Sequence, residues 1–208
     1  EVAEAREPIE KGIQLNAFRI KKGTLRYHDA GAGMRATIED FNLLLEGDFS
    51  MEETELYLNI LASGIRMSSE GISYMKNGEF FMDLHAAADL INNTYLLKDN
   101  EIRLNGLTLE TRGEVVMHEN DDIFLDIEFG TPETSFQSLL ALIPAIYAQG
   151  LDDIESEGSL KLTGNIHGTL SDSLMPDANL LLEVDNGYFS YADLPGDVSD
   201  IAIDLDVH

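Results

Sequence analysis

Phe18-Arg-Ile-Lys-Lys-Gly-Thr-Leu-Arg-Tyr-His-Asp29 reads almost like Leu182-Glu-Val-Asp-Asn-Gly-Tyr-Phe-Ser-Tyr-Ala-Asp193. In both, an alternating strand pattern runs into a glycine, Gly23 or Gly187. A tyrosine follows four residues later (Tyr27, Tyr191) and an aspartate two after that (Asp29, Asp193). Each copy then continues, after a loop, into a second alternating segment: I-E-D-F-N-L-L-L-E-G from Ile38 and V-S-D-I-A-I-D-L-D-V from Val198. A strand–turn–strand unit that recurs in one chain signals a repeat architecture. It also assigns the repeated Gly, Tyr and Asp to scaffold before chemistry. The two tyrosines are expected to pack at a strand exit with the hydroxyl bonded to a loop.

Outward from this pair, period 2 dominates from Ile13 onward, as expected of half-buried strands. Phe41, Leu43 and Leu45 alternate, as do Leu56, Leu58 and Ile60, and Ile123, Leu125, Ile127 and Phe129. Leu180, Leu182 and Val184 continue the pattern, and so do Ile201, Ile203, Leu205 and Val207. Turn residues punctuate these runs: Glu46-Gly47-Asp48, Lys76-Asn77-Gly78, Asn105-Gly106, Thr163-Gly164-Asn165 and Asp185-Asn186-Gly187. Asn-Gly and related pairs favour tight hairpins. The reading is therefore an antiparallel meander with one apolar and one polar face.

Two segments break the pattern. Residues 134–149 place Phe136, Leu139, Leu140, Ile143, Ile146 and Tyr147 on one helical stripe, with Thr134 or Ser135 as cap, Pro144 as a kink and Gly150 as stop. This helix can pack over the open edge of the sheet, lie on a membrane, or dock a partner. It lacks the Lys and Arg usual on the polar face of a membrane-surface helix. A shorter helix is expected around Ser63–Met75, where S-G-I-R-M-S-S-E-G-I-S-Y-M is not strand-like. Residues 1–12 read as a linker or frayed terminus. Residues 13–133 form a first β unit, 134–150 a helix and 151–208 a second β unit, with no linker dividing this β-repeat domain.

Composition narrows function. Among 208 residues, 39 Asp and Glu face 13 Lys and Arg, a formal net charge of −26. Such a surface repels phosphate backbones, which argues against nucleic-acid partners. The chain has no cysteine, so neither disulfides nor thiolate chemistry is available. No calcium-loop pattern and no H-E-x-x-H is present, nor a P-loop or G-x-S-x-G elbow. Gly31-Ala-Gly33 is a lone G-x-G read as loop. His28 and His167 are read as loop or turn residues. Paired carboxylates (Glu52-Glu53, Asp121-Asp122, Asp152-Asp153) are too common to mark a glycosidase. The expectation is a protein with no catalytic residues, no metal and no cofactor.

The run Glu157-Gly-Ser-Leu-Lys-Leu-Thr-Gly-Asn-Ile-His-Gly168, then Met175-Pro176, then Leu180 to Pro195, resembles the AsmA family of bacterial envelope proteins. Phe136 to Tyr147 looks like the helical segment preceding that run, and Phe18 to Ser50 like an earlier strand unit of the same type. The resemblance implies relatives of the TamB group and of bridge-like lipid-transfer proteins: long, taco-shaped β-sheets with an apolar concave face. It further implies an inner-membrane-anchored, periplasmic protein that conducts phospholipid toward the outer membrane in outer-membrane biogenesis. The membrane helix typical of such proteins and the rest of the array are missing from these residues. The chain is therefore expected to be a fragment, joined to the membrane through a segment outside it.

Fold and function expectations follow. The fold is mainly β with one or two helices: a repeating antiparallel sheet curled into an open groove, with the 134–149 helix packed over it. The groove is expected to bind acyl chains along Leu160, Leu162, Leu180, Leu182, Val184, Ile201, Ile203 and Leu205. The competing reading is an assembly module whose strand edges and helix dock outer-membrane biogenesis proteins.

Overall fold

The computed structural model describes residues 16–132, 134–140, 155–190 and 196–207. Eleven strands and one helix follow in chain order. They are β1 (Ala17–Asp29), β2 (Met34–Glu46), β3 (Glu53–Ser69), β4 (Ile72–Asp89), β5 (Thr94–Leu104), β6 (Leu107–Met117), β7 (Ile123–Gly130), β8 (Thr134–Ser135), α1 (Phe136–Leu140), β9 (Glu155–Leu170), β10 (Asp177–Ser190) and β11 (Val198–Val207). All strands belong to one antiparallel sheet, ordered β1-β2-β3-β4-β5-β6-β7-β9-β10-β11. Each strand pairs with its neighbour in sequence, except where β8 and α1 intervene. The sheet does not close into a barrel, which leaves it a curled open groove.

Strand β8 continues the line of β7 along β9. Strand β7 pairs with residues 163–170 of β9, and Thr134 and Ser135 pair with Leu160 and Ser159. Between them Thr131 keeps the ladder intact: its N–H donates to the Leu162 carbonyl (2.8 Å) and its hydroxyl accepts from the Leu162 N–H (3.0 Å). The chain then turns into α1 over the apolar face. The hydroxyls of Thr134 and Ser135 meet the Ser138 hydroxyl at 3.1 and 3.3 Å. They thus bond a side chain within the first turn. The remainder of the expected helix, with Pro144 and Gly150, lies outside the described residues, as do residues 1–12.

The structure corrects three expectations. Ser63–Met75 is not a helix: β3 runs through Ser69 and β4 starts at Ile72, joined by Glu70 and Gly71, both with positive φ (51° and 82°). That is the two-residue hairpin geometry matching strand twist. Its alternation was obscured because register shifts between Ala62, Ile65 and Met67 change which residues share a face. Second, of the five turn signals only Glu46-Gly47-Asp48 and Asn105-Gly106 leave a strand. Lys76-Asn77-Gly78, Thr163-Gly164-Asn165 and Asp185-Asn186-Gly187 all lie inside strands. Third, neither histidine lies in a loop or turn: His28 is in β1, paired with Arg35, and His167 sits within β9, its Nδ1 3.3 Å from Asp126 and its ring edge-on to Phe124.

Candidate functional site

The two copies of the opening motif form hairpins at opposite edges of the sheet. In the first, Ile20 pairs with Leu43, Gly23 with Phe41 and Leu25 with Ile38, with register shifts on both sides of Gly23. In the second, Val184 pairs with Ile203, Gly187 with Ile201 and Phe189 with Val198, with shifts on both sides of Gly187. The residues before these glycines, Lys22 and Asn186, share φ = 50°. Such a bulge adds a residue to one strand and sharpens its twist. A side chain is crowded at both glycines, and more so at Gly187. A Cβ on Gly187 would stand 2.9 Å from Ile201 Cβ and 3.2 Å from Val184 Cγ1, and one on Gly23 would stand 3.1 Å from Ile20 Cγ2. Gly78 occupies the same niche in β4, closed by Met75 and Ile65.

Asp29 follows Gly23 to the end of β1. Its Oδ1 accepts from the N–H groups of Gly31 (2.8 Å) and Ala32 (3.1 Å), capping the loop that contains Gly31 and Gly33. These bonds, the one from Ala32 first, hold its carboxyl below the usual aspartate range. Asp89 caps the β4–β5 loop the same way through Ile91 and Asn92. Tyr27 is 56% exposed, so it is not packed at the strand exit, and its side chain adds a minor bond to Asp29. Tyr191 and Asp193 lie outside the described residues.

Period 2 and the pairing register separate the side chains onto two faces. On one face Ile20, Leu43, Ile60, Met82, Ile102 and Leu109 stand opposite one another in a row across six strands. Leu45, Leu58 and Leu84 make a parallel row. Leu56, Ala86, Leu97, Gly113, Ile127, Ile166 and Ala178 make another, reaching β10. From β2 to β10 these rows hold no acidic or basic residue. The opposite face carries the charge: Glu55 takes hydrogen bonds from Lys98 (2.7 Å) and His85 (2.6 Å), His85 stacks on Tyr57, and Arg112 pairs with Glu128 (2.7 Å). A cleft of about 850 Å³ on this polar face is bordered by Glu101, Glu110, Arg112, Glu128, Asn165 and Asn179. Among the described residues no group of His, Cys, Asp and Glu is arranged to hold a metal ion.

Helix α1 divides the apolar face into a covered and an uncovered part. Phe136 (4% exposed) inserts among Leu107, Leu160, Leu182 and Val184, and Leu139, Leu140, Leu162, Ile201 and Ile203 pack around them. Of the eight groove positions expected from sequence, Leu160, Leu182 and Val184 are therefore buried in this cluster, and Leu162, Ile201 and Ile203 pack half-buried against it. Of the other two, Leu180 is half-buried in the row of Phe129 and Gly164, and Leu205 is 44% exposed at the edge. The uncovered rows lie on β1–β5, where Ile20, Leu43, Ile60, Met82 and Ile102 are all half-buried. Their alternation was legible for β2 and β3. It was not legible for β4 and β5, where a shift between Leu97 and Asn100 interrupts it. Asn100 sits in that shift, 3% exposed, its Oδ1 accepting the His85 N–H at 2.6 Å. No protein-family model, no curated protein and no solved structure matches the chain.

Proposed function

We propose that this chain is a non-enzymatic lipid-handling sheet of the AsmA-like kind. In this reading its apolar face carries phospholipid acyl chains between inner and outer membrane, as part of an inner-membrane-anchored periplasmic protein. The observation carrying it is the uncharged row Ile20–Leu43–Ile60–Met82–Ile102, half-buried throughout and opposed by a face that holds the charges.

At about 4.8 Å between strands, five strands give a path of roughly 19 Å. One leaflet contributes about 15 Å of hydrocarbon, half of a roughly 30 Å core, so an acyl chain fits along the row. A chain crossing water unprotected would expose each CH₂ at a cost of about 0.8 kcal/mol. An apolar row removes most of that barrier without strong net binding, because the bilayer it leaves is equally apolar. Headgroups remain in water, so the net charge of −26 is compatible with this role.

The test is to purify the protein, extract it and identify bound lipid by mass spectrometry. Phospholipid is expected in the wild type and is expected to fall sharply in Ile60→Asp and Met82→Asp proteins that remain folded by circular dichroism. A lipid-free wild type, or folded variants with unchanged lipid, would overturn the reading.

A further inference from the structure

The two rims of the sheet, where its hairpins turn, carry different side chains. In an antiparallel meander alternate loops fall at the same end, so the β2–β3, β4–β5, β6–β7 and β9–β10 loops share one rim. Among the described residues, every exposed large apolar side chain outside a strand lies in these loops: Met51 (56% exposed), Ile91 (62%), Leu174 (54%) and Met175 (85%). Met117 and Leu170 add exposed apolar strand ends beside them. On the other rim, the loops joining β1 to β2, β3 to β4 and β5 to β6 hold only Ala, Gly, Glu and Asn.

The apolar face reaches the first of these rims without a charged residue. Next to the row from Leu56 to Ala178, and nearer the rim, Thr54, Ala88, Tyr95, Val115, Leu125 and Gly168 stand opposite one another. Met117, Ile123 and Leu170 follow at the strand ends. At about 4.8 Å between strands, loops two strands apart sit roughly 10 Å from one another, and the four span roughly 29 Å. Between the apolar tips these loops hold Asp48, Glu52, Glu119, Asp121, Asp122 and Asp172, and no Lys or Arg.

We infer that this rim contacts a lipid surface of no net charge, with Met51, Ile91, Leu174 and Met175 sinking among zwitterionic headgroups. A protein partner needs one continuous patch, roughly 1,200 Å² in total for a stable contact, and separated tips with acids between them form none. A fluid lipid surface closes around each tip singly, and burial of the apolar tips drives the contact. Methionine, unbranched and polarisable, suits such a surface. The acids oppose an anionic surface, because like charges repel. An acyl chain leaving the lipid surface meets the uncharged rows at once, so the rim is also where the proposed cargo enters. That entry step rests on the lipid reading; the contact itself does not.

Flotation with phosphatidylcholine vesicles tests it. The wild type is expected to float with them, and less so when part of the lipid is replaced by phosphatidylglycerol. Physiological salt is expected to restore part of that loss. Ile91→Asp and Leu174→Asp/Met175→Asp, each folded by circular dichroism, are expected to lower partitioning about tenfold or more. Ala30→Asp, on the opposite rim, is expected to leave it unchanged. In the cysteine-free chain, an environment-sensitive fluorophore on Met175→Cys is expected to shift to the blue with vesicles, and one on Ala30→Cys is not. A wild type that stays unbound, binding indifferent to the apolar substitutions, or binding strengthened by phosphatidylglycerol would each overturn the inference. Mass spectrometry of the purified wild type decides the lipid cargo separately, so a lipid-free protein that still floats removes the entry step and keeps the contact.

Discussion

The apolar face is one surface in two conditions. Beneath α1, Leu160 and Val184 are each 2% exposed and Leu182 is 8% exposed. Across β1–β5, Ile20, Leu43, Ile60, Met82 and Ile102 are drawn from the same residue types in the same alternation, yet all stay half-buried. The difference is one short helix that brings Phe136, Leu139 and Leu140 onto the sheet. The alternating pattern makes an apolar face and a second layer closes it; away from α1, among the described residues, the buried hydrophobics are Leu56 and the small Ala62, Ala86 and Ala88. A row without that layer is free to receive another apolar partner, and a row with it is committed to stability.

Substitutions can break this contrast. Val184→Asp would bury an unpaired charge and is expected to cost about 4 kcal/mol or more, enough to abolish cooperative unfolding by urea. Ile60→Asp, on a half-buried row, is expected to leave a folded protein. The apolar truncations should rank the same way: about 2–5 kcal/mol for Leu160→Ala, against about 1 kcal/mol for Ile60→Ala, read from urea midpoints. If the two cost the same, the uncovered rows are as closed as the cluster under α1.

The two hairpins sharpen the comparison further. Gly187 abuts the closed cluster, and a methyl there meets Ile201 Cβ at 2.9 Å, whereas at Gly23 it meets the movable Ile20 Cγ2 at 3.1 Å. Gly187→Ala is expected to destabilise by about 1–3 kcal/mol and Gly23→Ala by less. Thermal unfolding of the two variants gives the order.

The smallest effect lies in the loop caps. Asp29, bonded by Ala32 and then Gly31, and Asp89, bonded chiefly by Asn92, both titrate below the ordinary aspartate range. A depressed folded-state pKa gives stability that is present above the unfolded value, about 4, and is lost as pH falls through the folded value. Asp29→Asn and Asp89→Asn should therefore lower the thermal midpoint slightly at neutral pH. Their deficit against wild type should shrink as pH falls below the unfolded value and through the folded ones. Both carboxylates are exposed, so solvent screening keeps the effect small.

Much of this was readable in the chain. The alternation of Phe41 to Leu45 and of Leu56 to Ile60 located the strands, and the Gly23 and Gly187 motifs located two hairpins with the same pairing. Asn105-Gly106 marked a true turn, but Asn77-Gly78 and Asn186-Gly187 mark bulges inside long strands. Turns and bulges both favour residues that tolerate unusual backbone angles, so the dipeptide cannot tell them apart. The Ser63–Met75 segment read as helical because a shifted register breaks alternation locally while the strand continues.

The sequence by itself determined that this protein has a charged face and an apolar face, because side-chain alternation is a property of the local backbone. It also determined that β1 is basic and β11 acidic, which is composition alone. Only the tertiary structure decided which apolar residues are covered. Coverage depends on where α1 lands on strands brought together from distant parts of the chain, from Leu107 on β6 to Val184 on β10. It likewise decided that the two copies of one motif lie at opposite edges, because that follows from the order in which all the intervening strands pair.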